Sequence, residues 1–474
     1  MRGSYLYAFI IINLTCYICI CLGTTNKTIS ISNQLLDQNT PINEPLMGKY
    51  TKSFGYHTLL RRMPDIFSVV INLLKTDPIE SPFAQTERDQ VVEKLKILLT
   101  DILTNESLRK IDGTSKLSIM WNEILDEKFN TNKTGTWFET EWLFAENYMY
   151  MRIQEAIENT KNMQNYDLFK QLKDKAFGES ENTMIAIAKF LLTRHNKDEV
   201  NTTKLKLYFE QMIKISLWGN RFDLSLNIRN KSTNFSEDPL EAIVSLDKYI
   251  LANDIDDIWN TLNVPHNNAP KRIDIIMDNS AYELFTDLCL ADFFITYGLA
   301  DVVVFHVKSI PWYVSDVTKL DYSNFLNRLE KECTSKVLQT IGNRWNILYK
   351  AGKFVVECEE FWTLPYDYSK MVTKDIELYK KLSKSQLLIF KGDLNYRKLI
   401  GDINWLPSTT FKDALRGFQP TSIVALRTLK CDCVCGLSPG YENNIEENDN
   451  DNNYLYSSNY WQVSGKYAVV QFNK

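Results

Sequence analysis

Beyond Pro265 the chain falls into short apolar runs separated by helix-length stretches, and this alternation constrains the fold more than any other feature. The runs are Ile273–Met277, Val302–Val307, Phe354–Val356, Leu387–Phe390, Ile423–Leu426 and Ala468–Phe472. They are rich in β-branched and aromatic residues and mostly lack a polar alternation, so each predicts a strand buried on both faces. Between them Tyr282–Thr296, Tyr322–Ala351 and Ser369–Leu382 carry a helical pattern. Parallel strands need crossovers of a dozen or more residues, usually helical. The pattern therefore predicts an α/β fold with a mainly parallel sheet covered on both faces.

The preceding chain has a different texture. From Gly55 to Thr261 apolar residues recur every three or four positions, as in Val91–Leu103, Trp142–Ile157 and Lys204–Leu217. This predicts a helical domain over 40–262 and an α/β domain over 263–474, with the boundary near Asn260–Ala269. A chain of 474 residues is long enough for both, at roughly 150 residues per domain. Glu442–Asn453, acidic and low in complexity, predicts a solvated, mobile loop before the last strand.

Met1 and Arg2 precede an apolar stretch from Tyr5 to Leu22 and a small, polar exit, the three parts of a secretory signal peptide over residues 1–24. Its core of about 18 residues also approaches membrane-spanning length, so a signal anchor is the alternative. Sequons at Asn26, Asn105, Asn132, Asn201, Asn230 and Asn234 fit entry into the secretory pathway, although a chain rich in Asn, Ser and Thr makes such matches by chance. Of the nine cysteines, three lie in the leader, leaving Cys289, Cys333, Cys358, Cys431, Cys433 and Cys435. The last three alternate by two and would face one side of an extended chain, which suits buried thiols better than a disulfide framework. With 54 Lys+Arg against 59 Asp+Glu, a net charge of -5 and no basic block, the chain lacks the electrostatic footprint of a nucleic-acid binder. The histidines, His57, His195, His266 and His306, are too scattered for a histidine metal motif, so a metal here is expected on oxygen ligands.

Ligands of an open parallel sheet bind beyond the carboxyl ends of its strands. After the first run come Asp278 and Asn279, then Glu283 and Asp287; after the second, Ser309, Trp312, Ser315 and Asp316. Leu387–Phe390 leads into Lys391, Gly392, Asp393, Leu394, Asn395, Tyr396 and Arg397, and Ile423–Leu426 into Arg427, Thr428 and Lys430. Acids and an asparagine at strand ends make a site for a hard cation such as Mg²⁺ or Mn²⁺. Lys391, Arg397, Arg427 and Lys430 supply charge for a phosphate. A metal and cations around one phosphate point to phosphoryl transfer to water. A single Asp after a strand is more often a helix cap, and Asp287 and Asp292 read as caps, solvated groups or ion pairs. The convergence of the set carries the reading.

Other motifs fail. Gly436-Leu437-Ser438-Pro439-Gly440 matches G-x-S-x-G, but no helical pattern follows it and no histidine lies beyond it, so it reads as a turn. Neither a dinucleotide fingerprint nor a P-loop is present. Asp254-Ile255-Asp256 is a D-x-D that follows no predicted strand.

At these residues the chain resembles the damage-control phosphatase family, in the branch also described as acidic-residue (protein-glutamate) methyltransferase and sugar-phosphate phosphatase. The resemblance covers nearly everything after Pro45. It is carried by Pro45-Leu46, Ser53-Phe54-Gly55-Tyr56, Trp137-Phe138-Glu139 and Trp142–Glu146, then by Asp278–Leu284, Lys308–Asp316, Lys391–Lys398 and Arg427-Thr428-Leu429-Lys430. It implies a helical N-terminal domain on a Rossmann-like α/β/α sandwich. It also implies Mn²⁺, Co²⁺, Ni²⁺ or Mg²⁺ supporting removal of phosphate from small metabolites such as fructose 1-phosphate and fructose 6-phosphate. Asp278, Asn279 and Asp316 match the family's metal ligands, with Asp278 and Asp316 expected to be catalytic. Glu283, the Asp393–Arg397 stretch and Lys430 match its substrate contacts, and Arg427 opens the R-T-x-K signature.

Two alternatives accompany this reading: a carboxyl methyltransferase using S-adenosylmethionine, for which no donor site is independently visible, and a secreted, non-enzymatic binding protein. Two departures from the family motivate the latter. The family usually has Gly where Ala281 stands, and Ala is harmless there only at negative φ. Members are usually cytoplasmic, whereas this chain opens with a secretory-like leader.

Overall fold

The computed structural model describes residues 35–77, 82–129, 135–193, 201–224, 243–263, 270–446 and 460–474. The leader and the sequons at Asn26, Asn132, Asn230 and Asn234 lie outside the described residues, as do 447–453 of the acidic segment and the six residues after it. Leu36–Lys474 form one compact unit.

The helical half supplies α1 (Met63–Thr76), α2 (Pro82–Leu103), α3 (Lys116–Phe129), α4 (Trp142–Glu158), α5 (Lys170–Leu192), α6 (Thr202–Leu224) and α7 (Ile255–Leu262). It also contains a strand with no sequence expectation, β1 (Ile250–Asn253). Four residues carry too little pattern to be read against the surrounding helices. Because β1 ends at Asn253, the D-x-D at Asp254 does follow a strand, contrary to the expectation above. Asp254 Oδ2 there accepts a bond from the Phe472 amide at 2.9 Å.

The second half gives β2 (Arg272–Ile276), α8 (Ala281–Thr296), β3 (Val302–His306), α9 (Lys319–Asn327), α10 (Lys336–Lys350) and β4 (Phe354–Glu357). Then come α11 (Ile376–Leu382), β5 (Leu387–Lys391), α12 (Gly392–Ile400), β6 (Ile423–Thr428) and β7 (Ala468–Asn473). The stretch expected as one helix from Tyr322 to Ala351 is two, because Cys333 leaves helical geometry at ψ 138°.

The seven strands are ordered β1-β7-β6-β5-β2-β3-β4. β6, β5, β2, β3 and β4 are mutually parallel, β7 is antiparallel to β6, and β1 is parallel to β7. Alternate strand residues enter different cores, as strand geometry requires. Leu387 and Ile389 of β5 pack with Trp218, Phe285 and Phe294, whereas Leu388 and Phe390 pack with Trp362, Tyr368 and Leu399. The sheet is therefore covered on both faces, giving the Rossmann-like α/β/α sandwich. α8 is buried over nearly its whole length, which accounts for apolar residues on every side of it, with Glu283, Asp287 and Asp292 buried among them. Among the described residues no helix is long and apolar enough to cross a membrane.

Candidate active site

β2 and β5 are neighbours, and the chain leaves them in opposite directions, from β2 toward β3 and β4 and from β5 toward β6. Such a switch point opens a crevice at the carboxyl ends of the strands. Asp278 and Asn279 follow β2 there, and α12 starts directly after β5 at Gly392, which has φ 78°. The segment after β3 folds back onto the same turn. The Val317 amide donates to the Asp278 carbonyl at 2.9 Å, and the Ser280 amide to the Ser315 carbonyl at 2.7 Å. This brings Asp316 beside Asn279.

A residue without sequence expectation completes the cluster. Ser216 and Asn220 lie one turn apart on α6 and face Glu283 and Asp287, one turn apart on α8. Gly219 permits the approach, since a Cβ there would meet Thr286 Oγ1 at 2.3 Å. Asn220 Nδ2 donates to Asp278 Oδ2 and to Glu283 Oε2, both at 2.8 Å. Asn279 Nδ2 donates to the same two oxygens at 2.8 and 2.7 Å. The Asn220 Oδ1 accepts from Thr428 Oγ1 at 3.0 Å and from Lys430 Nζ. Two polar residues at i and i+4 in the apolar run Ile215–Asn220, a buried stretch of α6, were the signal that could have found this face.

Asp278, Glu283 and Asp316 are all buried. Burial, then the neighbouring Glu283 and Asp316, hold the Asp278 carboxyl well above its usual range. Burial likewise pushes Asp316 up to about 6, against the pull of Lys308, whose Nζ is 3.1 Å from Asp316 Oδ2. Glu283 Oε1 has no hydrogen-bond partner, and its nearest cation, Lys391 Nζ, is 3.5 Å away. Three buried acids, an asparagine and an orphaned carboxylate oxygen fit a hard divalent cation, which takes oxygen ligands. Buried like charges without such a cation are costly.

The remaining predicted residues divide. Asp393 accepts from Arg427 Nε at 2.8 Å and from the Lys430 amide at 3.1 Å, one step behind the cluster. Although burial pushes Asp393 up, Arg427 and Arg397 hold it below its usual value. Burial lowers the Lys430 ammonium. Lys391 is committed to Asp287 at 2.8 Å and to Ser216. Arg397, expected at the phosphate, bonds instead to Glu146 at 2.7 Å and to Asp402 at 2.7 and 2.9 Å, its guanidinium over Trp142. Asn395 bonds to Tyr368 and to main-chain carbonyls. Tyr396 stacks on Phe411, and Leu394 is buried. Asp292 pairs with Arg344, so both helix acids are buried ion-pair partners.

Backbone strain surrounds the cluster. Ala281 has φ 56°, Tyr313 φ 42° and Val314 φ 69°, so the condition under which Ala281 would be harmless is not met. Such residues cost of order 1–3 kcal/mol each and gather at functional sites.

A second acidic group lies elsewhere. His306, Glu357 and Glu359 bring ligand atoms within 4.8 Å of one another, close enough for one metal ion. Their charges are already paired. His306 contacts Asp274 Oδ2 at 2.9 Å and Glu359 Oε2 at 3.1 Å, and Lys381 bridges Glu357 and Glu359. With both ring nitrogens and the Glu pair occupied, this is an ion-pair network.

The damage-control phosphatase ARMT1-like domain matches residues 58–445. Proteins named damage-control phosphatase ARMT1 from Danio rerio and Homo sapiens are each 35% identical to this chain, over 91% and 90% of it and 97% and 98% of their own lengths. The protein of that name from Mus musculus is 34% identical over 90% of this chain and 98% of its own. A crystallised DUF89 family protein from Pyrococcus horikoshii aligns at a TM-score of 0.40 and 16% identity, covering 80% of this chain and 96% of that one. With its matching domain spanning most of the sequence, the chain belongs to the ARMT1-like damage-control phosphatase family.

Proposed function

We propose that the chain is a metal-dependent phosphatase of small phosphorylated metabolites, with sugar phosphates such as fructose 1-phosphate and fructose 6-phosphate as substrates. The observation that carries this reading is the convergence of buried Asp278, Glu283 and Asp316 with Asn279 and Lys430 at the switch point. Asp278, Asn279 and Asp316 would hold Mn²⁺, Ni²⁺, Co²⁺ or Mg²⁺. Such an ion supplies an activated water and offsets charge on the phosphate.

The protein's own groups do the rest. Lys430 presents its ammonium to the phosphate, as a point charge suits, and Asn220 sets its position. The first amides of α12, beside Asp278, add donors for phosphate oxygens. Asp393 and Arg427 hold the Lys430 main chain, and Glu283 Oε2 holds the Asn220 and Asn279 side-chain amides in place. Burial of the carboxylates excludes bulk water and strengthens each charge interaction.

The test is phosphate release by the purified chain from a panel of sugar phosphates with Mn²⁺ and then with chelator. Metal-dependent release that Asp278→Ala abolishes, with the fold intact by circular dichroism, is expected. Release unaffected by chelator or by Asp278→Ala would overturn the assignment.

A further inference from the structure

The R-T-x-K segment runs directly into Cys431-Asp432-Cys433. Both cysteines are buried and free, and their sulfurs lie 3.1 Å apart. A disulfide has its sulfurs about 2.05 Å apart, so an approach of about 1 Å makes the bond. The two thiols are also wired to the site. Arg427 Nη1 donates to the Cys433 carbonyl at 2.6 Å, and Nη2 to the Cys431 carbonyl at 3.3 Å and to Cys431 Sγ at 3.0 Å. The same guanidinium holds Asp393 at 2.8 Å, which in turn accepts from the Lys430 amide at 3.1 Å. Moving the two cysteines therefore moves the carbonyls that seat Arg427 and, through Asp393, the backbone of Lys430.

We propose that Cys431 and Cys433 form a reversible disulfide whose closure unseats Arg427 and Lys430 and lowers turnover. The oxidant is a low-molecular-weight disulfide such as oxidised glutathione. One cysteine sulfur attacks it to give a mixed disulfide and release one glutathione thiol. The second cysteine then displaces the other glutathione, so one protein S–S bond forms, one glutathione S–S bond breaks, and two electrons and two protons pass to the oxidant. Burial holds the Cys431 thiol well above its usual range, so the reaction awaits opening of the loop, and the exposed Cys358 is a competing thiol that the test removes. The bond itself stands on the geometry; its effect on turnover rests on the phosphatase reading.

The full chain carrying Cys358→Ser is incubated with oxidised glutathione, desalted, and read by peptide mapping and by phosphate release with Mn²⁺. A Cys431–Cys433 cross-link is expected, with turnover roughly ten-fold lower and restored by dithiothreitol. Adding Cys433→Ala, which removes the second sulfur and keeps the carbonyl that Arg427 bonds, is expected to abolish the response to oxidised glutathione. Two freely alkylated thiols after oxidation, a cross-link with unchanged turnover, or an equal loss in the Cys433→Ala protein each overturn the proposal. Should the reduced protein release no phosphate, the phosphatase reading fails separately. Calorimetric binding of inorganic phosphate then decides: weaker binding after cross-linking supports the coupling, and equal binding overturns it.

Discussion

Gly392 backs directly onto Asp278: a Cβ at Gly392 would lie 1.9 Å from Asp278 Oδ2 and 2.3 Å from its Cγ. The neighbour that would have to yield is a buried carboxylate, and the backbone is left-handed, so Gly392→Ala strains one and displaces the other. Metal-stimulated phosphate release is expected to fall roughly a hundred-fold, the typical cost of a misplaced catalytic group. Calorimetric titration with Mn²⁺ should show weakened binding in parallel. Wild-type release from this variant would mean that Asp278 is not needed where it stands.

Asn220 joins the helical half to both the acids and Lys430, so its removal should be felt in chemistry more than in folding. Asn220→Ala strips donors from Asp278 and Glu283 and an acceptor from Lys430. Hydrogen bonds to charged groups are worth about 1.5–3 kcal/mol, which predicts roughly a ten- to hundred-fold loss of kcat/KM. Steady-state kinetics on the best sugar phosphate check this, and an unchanged kcat/KM would remove Asn220 from the site.

Ala281 opens α8 in a left-handed conformation that glycine adopts without penalty. Ala281→Gly is therefore expected to raise stability by about 1 kcal/mol, contrary to the usual cost of glycine in a helix. Urea unfolding measures it. A less stable variant would show that the surroundings relieve the strain at Ala281.

The His306 network predicts a pH dependence remote from the chemistry. Although burial lowers it, bonds to Asp274 and Glu359 raise the His306 pKa from 6.5 to about 9. A raised histidine contributes stability that is fully present below pH 6.5 and lost as pH rises through about 9. Up to about 3 kcal/mol is at stake, from the size of the shift. Denaturant unfolding at either end of that window should show the wild type losing more stability than His306→Gln. Parallel losses would place the titrating group elsewhere.

Much of the architecture was legible because strands buried on both faces cannot hide their pattern. Each of the six apolar runs coincides with a strand, Met277 and Val307 lying one residue beyond β2 and β3, and acids and cations stand just after β2, β3, β5 and β6. What stayed hidden depends on direction in space. Arg397 follows β5 as plausibly as Lys430 follows β6, but α12 turns it toward Glu146 and Asp402. Lys391 is likewise drawn to Asp287. Asn220 sits in a helix more than fifty residues before Asp278 in the chain, and only the close approach at Gly219 makes it a neighbour. The positive φ of Ala281 is a backbone fact that side-chain identity alone does not reveal.

The placement of β7 also governs the order in which the molecule can be completed. Ile250 of β1 pairs with Ala468 of β7, so a nascent β1 waits through the synthesis of every other strand before its partner exists. Until then β6, which carries Arg427 and leads to Lys430, has one edge without a strand beside it. Pairings this distant in sequence form slowly, and an unpaired edge invites foreign strands. Until β7 arrives, the edge of β6 beside Arg427 thus stays open to other chains, and the last strand closes it.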